Sequence, residues 1–170
     1  IGDRTLTLRG SLDRPSLHLS VAHLGTAPER LAWLAGWARA HGGPGLVYCL
    51  TVSEAERTAE FLERAGVAAA AYTGATASDE RERIEAALDR GTLSCVVATS
   101  ALGMGYDNPN LSYVVHVGSP SSPIAYYQQV GRAGRAVARA EAWLLPGDED
   151  QAIRQWCAAV GLPPEPLARR

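Results

Sequence analysis

The sequence predicts an α/β fold, with a mostly parallel central sheet flanked by helices on both faces. Two observations carry that expectation. Short apolar runs of strand length alternate with longer segments of helical periodicity along the whole chain, and the connections between them are short. Several of the runs, such as Gly45-Leu46-Val47-Tyr48-Cys49-Leu50 and Val67-Ala68-Ala69-Ala70-Ala71-Tyr72, are unbroken, as strands covered on both faces are. With 170 residues, 46% of them apolar, the chain has enough material for one sizeable core.

Taken in order, residues 4–10 read as a linker or short strand, and residues 17–24 alternate apolar with polar as a strand does. Thr26 caps a helix with Pro28 near its start. Leu31, Leu34, Ala35 and Ala38 give that helix an apolar stripe until Gly42-Gly43 stops it. Trp33 and Trp37 stand four apart on one flank, where they either stack bases or pack on a neighbouring element; packing is the preferred reading. After the strand at 45–50, Ser53-x-x-Glu56 forms a capping box for a helix that carries Ala55, Phe61 and Leu62 toward Gly66. A strand at 67–72 leads to a helix from Ser78 to Arg90, and further strands follow at 94–98, 111–117 and 140–145. Ser122 as N-cap and Pro123 at the first helical position open a helix between the last two. A final helix is expected over 148–160, and the proline-rich residues 161–170 read as a linker to a following domain. The chain opens on Ile1, and with its strand-like start it reads as a piece of a longer protein in which residues 1–10 end or follow a preceding domain.

Composition narrows the chemistry. A net charge of −2 gives no bulk attraction for nucleic acid, so any such binding must come from a local patch. All 16 basic residues are arginine, and without lysine a Gly-x-x-x-x-Gly-Lys-Ser/Thr phosphate loop cannot be built. Cys49, Cys95 and Cys157 are far apart in apolar settings and read as core thiols in a reducing compartment. His18, His23, His41 and His116 lack metal-ligand spacing, so no metal site is expected. No apolar run is long enough to cross a bilayer, and no signal peptide opens the chain.

Two stretches carry chemistry. In Tyr126-Tyr127-Gln128-Gln129-Val130-Gly131-Arg132-Ala133-Gly134-Arg135, a continuing helix puts Gln128, Arg132 and Arg135 on one face at i, i+4 and i+7. Gly131 and Gly134 leave room for a backbone or ligand beside the guanidinium groups. Two planar forks beside an amide suit a polyphosphate; the alternative is that the cations complement the negative end of a helix dipole. In the second stretch, Thr99 and Ser100 end a buried strand and Gly103-Met104-Gly105-Tyr106-Asp107 follows. Hydroxyls and N–H groups there suit a phosphate and Asp107 suits a ribose hydroxyl, while the alternative is a turn at Asp107-Asn108-Pro109. Parallel sheets bind ligands beyond the carboxyl ends of their strands, which points to Thr51, Thr73-Gly74, Thr99-Ser100 and Gly118-Ser119-Pro120.

The run Gln128-x-x-Gly131-Arg132-x-Gly134-Arg135 resembles the last motif of superfamily 2 helicases, and its Tyr126-Tyr127 lead-in resembles the RecQ branch. Ala98-Thr99-Ser100-x-x-Gly103-Met104-Gly105-x-Asp107-x-Pro109 resembles the fifth motif, with Val114-Val115-His116 following as in the family. Val47-Tyr48-Cys49-Leu50-Thr51, Ala71-Tyr72-Thr73-Gly74 and Ser11-Leu12-Asp13-Arg14-Pro15 match family stretches more loosely, and Arg81 stands where a recurrent arginine does, although a solvated helix face explains it equally. There are departures: Ala136-Val137 replaces Asp-Gly, Gln129 replaces Glu, Ser112 replaces Arg, and the histidine usual near Thr73 is missing. No Cys-x-x-Cys pair announces the zinc module found in many RecQ proteins.

The resemblance implies a second, C-terminal RecA-like motor domain over residues 11–160 of an ATP-dependent DNA helicase, a 3′ to 5′ translocase of DNA repair and recombination in the bacterial cytoplasm, associated with the nucleoid. It implies that ATP and Mg2+ are held mainly by an N-terminal RecA-like domain of the same chain, which brings the lysine loop. From this side, Arg135 with Arg132 and Gln128 would be catalytic, and Gly105, Asp107, Gln128, Arg132 and Arg135 would face the nucleotide. Thr51, Thr73, Gly74, Thr99 and Ser100 would grip single-stranded or partly duplex DNA. An RNA helicase half is the nearest rival, against which Tyr126-Tyr127-Gln128 and Gly103-Met104-Gly105 speak. A non-catalytic α/β module that binds a partner or a mononucleotide is the rival from another class.

Overall fold

The computed structural model describes residues 14–99, 106–150, 152 and 155. Six strands, β1 (Leu17–Val21), β2 (Gly45–Cys49), β3 (Ala69–Tyr72), β4 (Cys95–Ala98), β5 (Tyr113–Val117) and β6 (Ala140–Leu145), form one sheet in the order β1-β6-β5-β2-β4-β3. Every pairing is parallel. The helices are α1 (Ala27–His41), α2 (Val52–Arg64), α3 (Ser78–Asp89) and α4 (Pro123–Val130).

The unbroken apolar runs occupy the middle of the sheet, as two-sided burial requires. All residues of β2, β4 and β5 are buried. Alternate side chains divide between two cores. Val47, Cys49, Val97 and Val115 pack under α1 and α2 through Leu34, Ala38, Ala55 and Leu62. Leu46, Tyr48, Val96, Ala98 and Val114 pack on the other face against Ile84 and Leu88 of α3 and Val130 of α4. Helices therefore cover both faces, as the alternation predicts.

Side-chain caps open three of the four described helices, α1, α2 and α4. Thr26 accepts from Glu29 N and Glu29 reaches back to Thr26 N, a complete capping box for α1, and Gly42 ends that helix in the left-handed region at φ 74°. Ser122 accepts from Ala125 N with Pro123 at the first helical position of α4. The start of α2 corrects the sequence reading. Thr51 is the cap, its hydroxyl accepting from Glu54 N at 3.2 Å, while Glu54 accepts from Leu50 N at 3.2 Å. Two overlapping Ser/Thr-x-x-Glu frames fit this stretch, and the one nearer the end of β2 is used.

Strand β1 is shorter than its alternating pattern, ending at Val21, and as an edge strand it leaves Leu19 and Val21 exposed. Trp33 and Trp37 pack. They stack on each other at 5.9 Å, and Trp33 lies 4.9 Å from Trp143 of β6 while Trp37 meets Tyr113 edge-on at 4.9 Å. Cys49 and Cys95 are buried thiols, each pushed up to about 12 by desolvation. Cys157, most of the expected last helix and both expected linkers lie outside the described residues.

Candidate nucleotide and nucleic-acid site

Register brings the strand tips together. Tyr72, Ala98, Tyr48 and His116 are level across β3, β4, β2 and β5. Thr73 and Thr99 therefore leave the sheet at the same height on neighbouring strands, with Thr51 two residues past the end of β2. Adjacent strands stand about 4.8 Å apart, so these three positions form a row roughly 10 Å long. Thr99 is 8% exposed. The Thr73 hydroxyl accepts from Ala75 N at 3.2 Å, Thr73 N donates to the Thr76 hydroxyl at 2.9 Å, and Thr51 is engaged as the α2 cap. Much of the row's hydrogen-bonding capacity thus shapes the loops themselves. Ser100 and Gly105, the other two expected ligands of this region, lie outside the described residues.

Arg81 organises the same row, a role the sequence reading did not give it. It donates to Thr73 O at 3.2 Å and Gly74 O at 3.1 Å, with its guanidinium carbon 5.4 Å from the centre of the Tyr72 ring. Thr73, Ala75 and Thr76 of this loop line a groove together with Glu56, Glu60, Glu63 and Glu80, so Thr73 borders an acidic wall that repels phosphates.

The arginine stretch departs from the helical expectation. Helix α4 ends at Val130, with Gly131 as its C-cap. Hydrogen bonds then tighten to three-residue turns, Arg132 N to Gln129 O at 3.2 Å and Ala133 N to Val130 O at 3.1 Å. Gly134 reverses the chain at φ 73°. Arg132 and Arg135 consequently sit on a turn beyond the helix, and the i, i+4, i+7 face shared with Gln128 does not form. Gln128 is exposed on the last turn of α4.

This turn is docked on the residues that follow the Gly-x-Gly loop. Gly134 N donates to Leu111 O at 3.1 Å and Ala136 N to Pro109 O at 2.9 Å. Half-buried Arg132 donates to Tyr106 O at 2.9 Å, and Arg135 pairs with Asp107 at 2.5 Å. Three expected nucleotide-facing residues, Asp107, Arg132 and Arg135, are therefore adjacent. Tyr48 lies beneath them; burial pushes its hydroxyl up to about 12, and the neighbouring Arg132 charge works against that. Asn108 fixes the loop by donating to Asp89 at 2.8 Å and accepting from Asn110 N at 2.8 Å.

Two departures from the family pattern have visible local consequences. Ser112 donates to Pro44 O at 3.0 Å, and its hydroxyl lies 2.3 Å from where a Cβ on Gly43 would stand, so the two small residues fit together. Gln129 accepts at 2.8 Å from Nε2 of buried His116, whose ring stacks on Tyr48 at 5.3 Å. The sequence reading also missed buried Arg30, paired with exposed Glu149, and buried Asp150, which accepts from Ser119 N at 2.6 Å and Gly147 N at 2.9 Å. Charged side chains that face inward carry no local sequence signal. Among the described residues, no three His, Cys, Asp or Glu side chains gather as a metal site.

Comparison with known proteins fits this geometry. Residues 27–137 match the family model described as the helicase conserved C-terminal domain. A curated relative, the ATP-dependent DNA helicase RecQ of Pasteurella multocida, is 38% identical over 84% of this chain, which spans 22% of that protein's length. A solved structure of the Mycobacterium smegmatis helicase Lhr bound to single-stranded DNA and AMP-PNP superposes with a TM-score of 0.66 at 27% identity, covering 77% of this chain and 19% of Lhr. The E. coli DEAD-box protein SrmB, bound to the regulator RraA, shares the fold at a TM-score of 0.72 and 20% identity, over 85% of this chain and 83% of the SrmB chain. The chain belongs to the helicase conserved C-terminal domain family, and within it is RecQ-like.

Proposed function

We propose that this chain is the second motor domain of an ATP-dependent DNA helicase and completes, from the far side of an interdomain cleft, an ATP site built mainly by an N-terminal RecA-like domain of the same protein. The observation that carries this is the arginine turn docked on Tyr106 and Asp107. It presents a cationic fork and a carboxylate side by side on fixed backbone, in a chain whose sequence has no lysine for a phosphate loop of its own. The residues fit one half of a nucleotide site. Arg135, 41% exposed and held by a carboxylate that is itself 64% exposed, is free to exchange Asp107 for a γ-phosphate. Bound ATP with its Mg2+, held by the other domain, supplies the phosphoryl group to be transferred.

Arg135 then acts as the finger that stabilises charge on the transferring phosphoryl group, a role worth roughly 10³ to 10⁵ in rate. Arg132, half-buried on the Tyr106 carbonyl, couples the turn to the Gly-x-Gly loop, and Gln128 with Gly105 completes this domain's share of the nucleotide contacts. Released from Arg135, Asp107 is placed to accept from a ribose hydroxyl. Thr51, Thr73, Gly74, Thr99 and Ser100 hold single-stranded DNA across the strand tips. The connection between β4 and β5 begins at the DNA row with Thr99 and includes Asp107, so closing and opening of the nucleotide cleft moves the DNA grip, 3′ to 5′ by resemblance. The setting is the bacterial nucleoid.

Unwinding assays with the full-length protein test this reading. A 3′-tailed DNA duplex should be opened with ATP, and a 5′-tailed DNA or a matching RNA duplex should not. Preference for the RNA duplex would transfer the chain to the RNA helicases, and unwinding of neither would support a binding module.

A further inference from the structure

Just before β1, two side chains reach the arginine turn from 117 to 119 residues away. Arg14 donates through Nη1 to Gly131 O at 3.2 Å and through Nη2 to Ala133 O at 2.8 Å, and Ser16 donates to Gly134 O at 2.9 Å. Gly131 O is shared, since Arg135 Nε donates to it at 3.3 Å. The clamp is anchored to the sheet: Ala140 N donates to Ser16 O at 2.7 Å, and Leu17 is the register partner of Ala140. Gly134 makes the close approach possible, because a Cβ there would lie 3.0 Å from the Ser16 hydroxyl and 3.2 Å from the Ala140 Cβ.

We propose that Arg14 is a positioning residue for Arg135. A rigid planar fork spans two carbonyls of the turn, transmits the position of the β1–β6 edge to it, and so fixes where the finger stands. The guanidinium geometry matters, since a lysine ammonium on a flexible stem can satisfy one of those carbonyls well and the other poorly. This inference rests on the reading of Arg135 as the finger.

The test uses the full-length protein with Arg14→Ala, Arg14→Lys and Arg135→Ala. Single-strand-stimulated ATP hydrolysis by Arg14→Ala should lose about 10- to 100-fold in kcat, the scale on which a misplacement of about 1 Å acts. Its KM for ATP should stay within about threefold, because the interaction lost belongs to the transition state. Arg14→Lys should fall between Arg14→Ala and the parent protein. A second readout is independent of turnover: tryptic cleavage after Arg135, measured against cleavage after exposed Arg90, should accelerate about tenfold once the clamp is gone. Full kcat in both Arg14 variants, a loss confined to KM, or an unchanged cleavage ratio would overturn the inference. If Arg14→Ala does not fold, Arg14→Lys decides by the same readouts. Normal turnover by Arg135→Ala removes the finger reading and this inference together, whereas an inactive Arg135→Ala beside fully active Arg14 variants removes this inference alone.

Discussion

Arg135 and Asp107, 28 residues apart, form an ion pair at 2.5 Å between two groups that are both open to solvent. Exposed pairs of this kind contribute about 0–1 kcal/mol, so the contact is easily exchanged for a better one. Substituting Asp107→Asn or Arg135→Ala should therefore shift unfolding stability by less than about 1 kcal/mol in urea titrations. A loss of more than about 3 kcal/mol, typical of a broken buried pair, would make it a structural bridge and remove its availability to a nucleotide.

Gly134 should be the least replaceable residue of the arginine turn. Its φ of 73° disfavours any side chain, and an added methyl group would press on Ser16 and Ala140. Left-handed backbone costs a non-glycine residue about 1–2 kcal/mol, and the crowding adds to it. Gly134→Ala should destabilise by about 2 kcal/mol or more in chemical unfolding, and a neutral result would show that the turn relaxes without its clamp.

His116 makes the fold acid-sensitive. Burial lowers it from 6.5 to about 4, only partly offset by the hydrogen bond to Gln129. The unfolded chain therefore takes up the proton first as the pH falls. This contribution is complete above pH 6.5, is lost between 6.5 and about 4, and levels off below that. The difference amounts to about 3 kcal/mol, measurable by urea unfolding across that window. Gln129→Glu, which restores the carboxylate usual in the family, should raise the His116 pKa and flatten the loss. A His116 titrating near 6.5 by NMR would contradict the account.

The threonines of the strand-tip row should separate by role. Thr99→Val removes a hydroxyl at the end of β4 and should weaken single-stranded DNA binding by about 3- to 10-fold, the worth of one hydrogen bond, in anisotropy titrations at fixed salt. Thr73→Val instead removes the acceptor for Ala75 N and should act mainly by loosening its own loop. Unchanged DNA affinity in Thr99→Val would count against the grip.

What the sequence made legible depended on the range of the signal. Thr26 and Ser122 act on residues three positions away, so their caps could be read directly, and the unbroken strands announced a parallel sheet through their own burial. The sequence points to Ser53 as the α2 cap because two cap patterns overlap, and only the end of β2 decides for Thr51. The helix over Arg132 and Arg135 failed because Gly131 tightens the chain into turns, a choice settled by the carbonyls at Pro109 and Leu111. Arg14 was visible only as part of a loose motif. Its partners are backbone carbonyls more than a hundred residues away, and no local pattern displays them.

Whether Arg135 completes an ATP site shared with another domain is tested most directly by ATP binding and single-strand-stimulated hydrolysis in full-length Arg135→Ala. Binding should persist while turnover falls by roughly 10³-fold or more. Turnover within a few-fold of the parent protein would contradict that role.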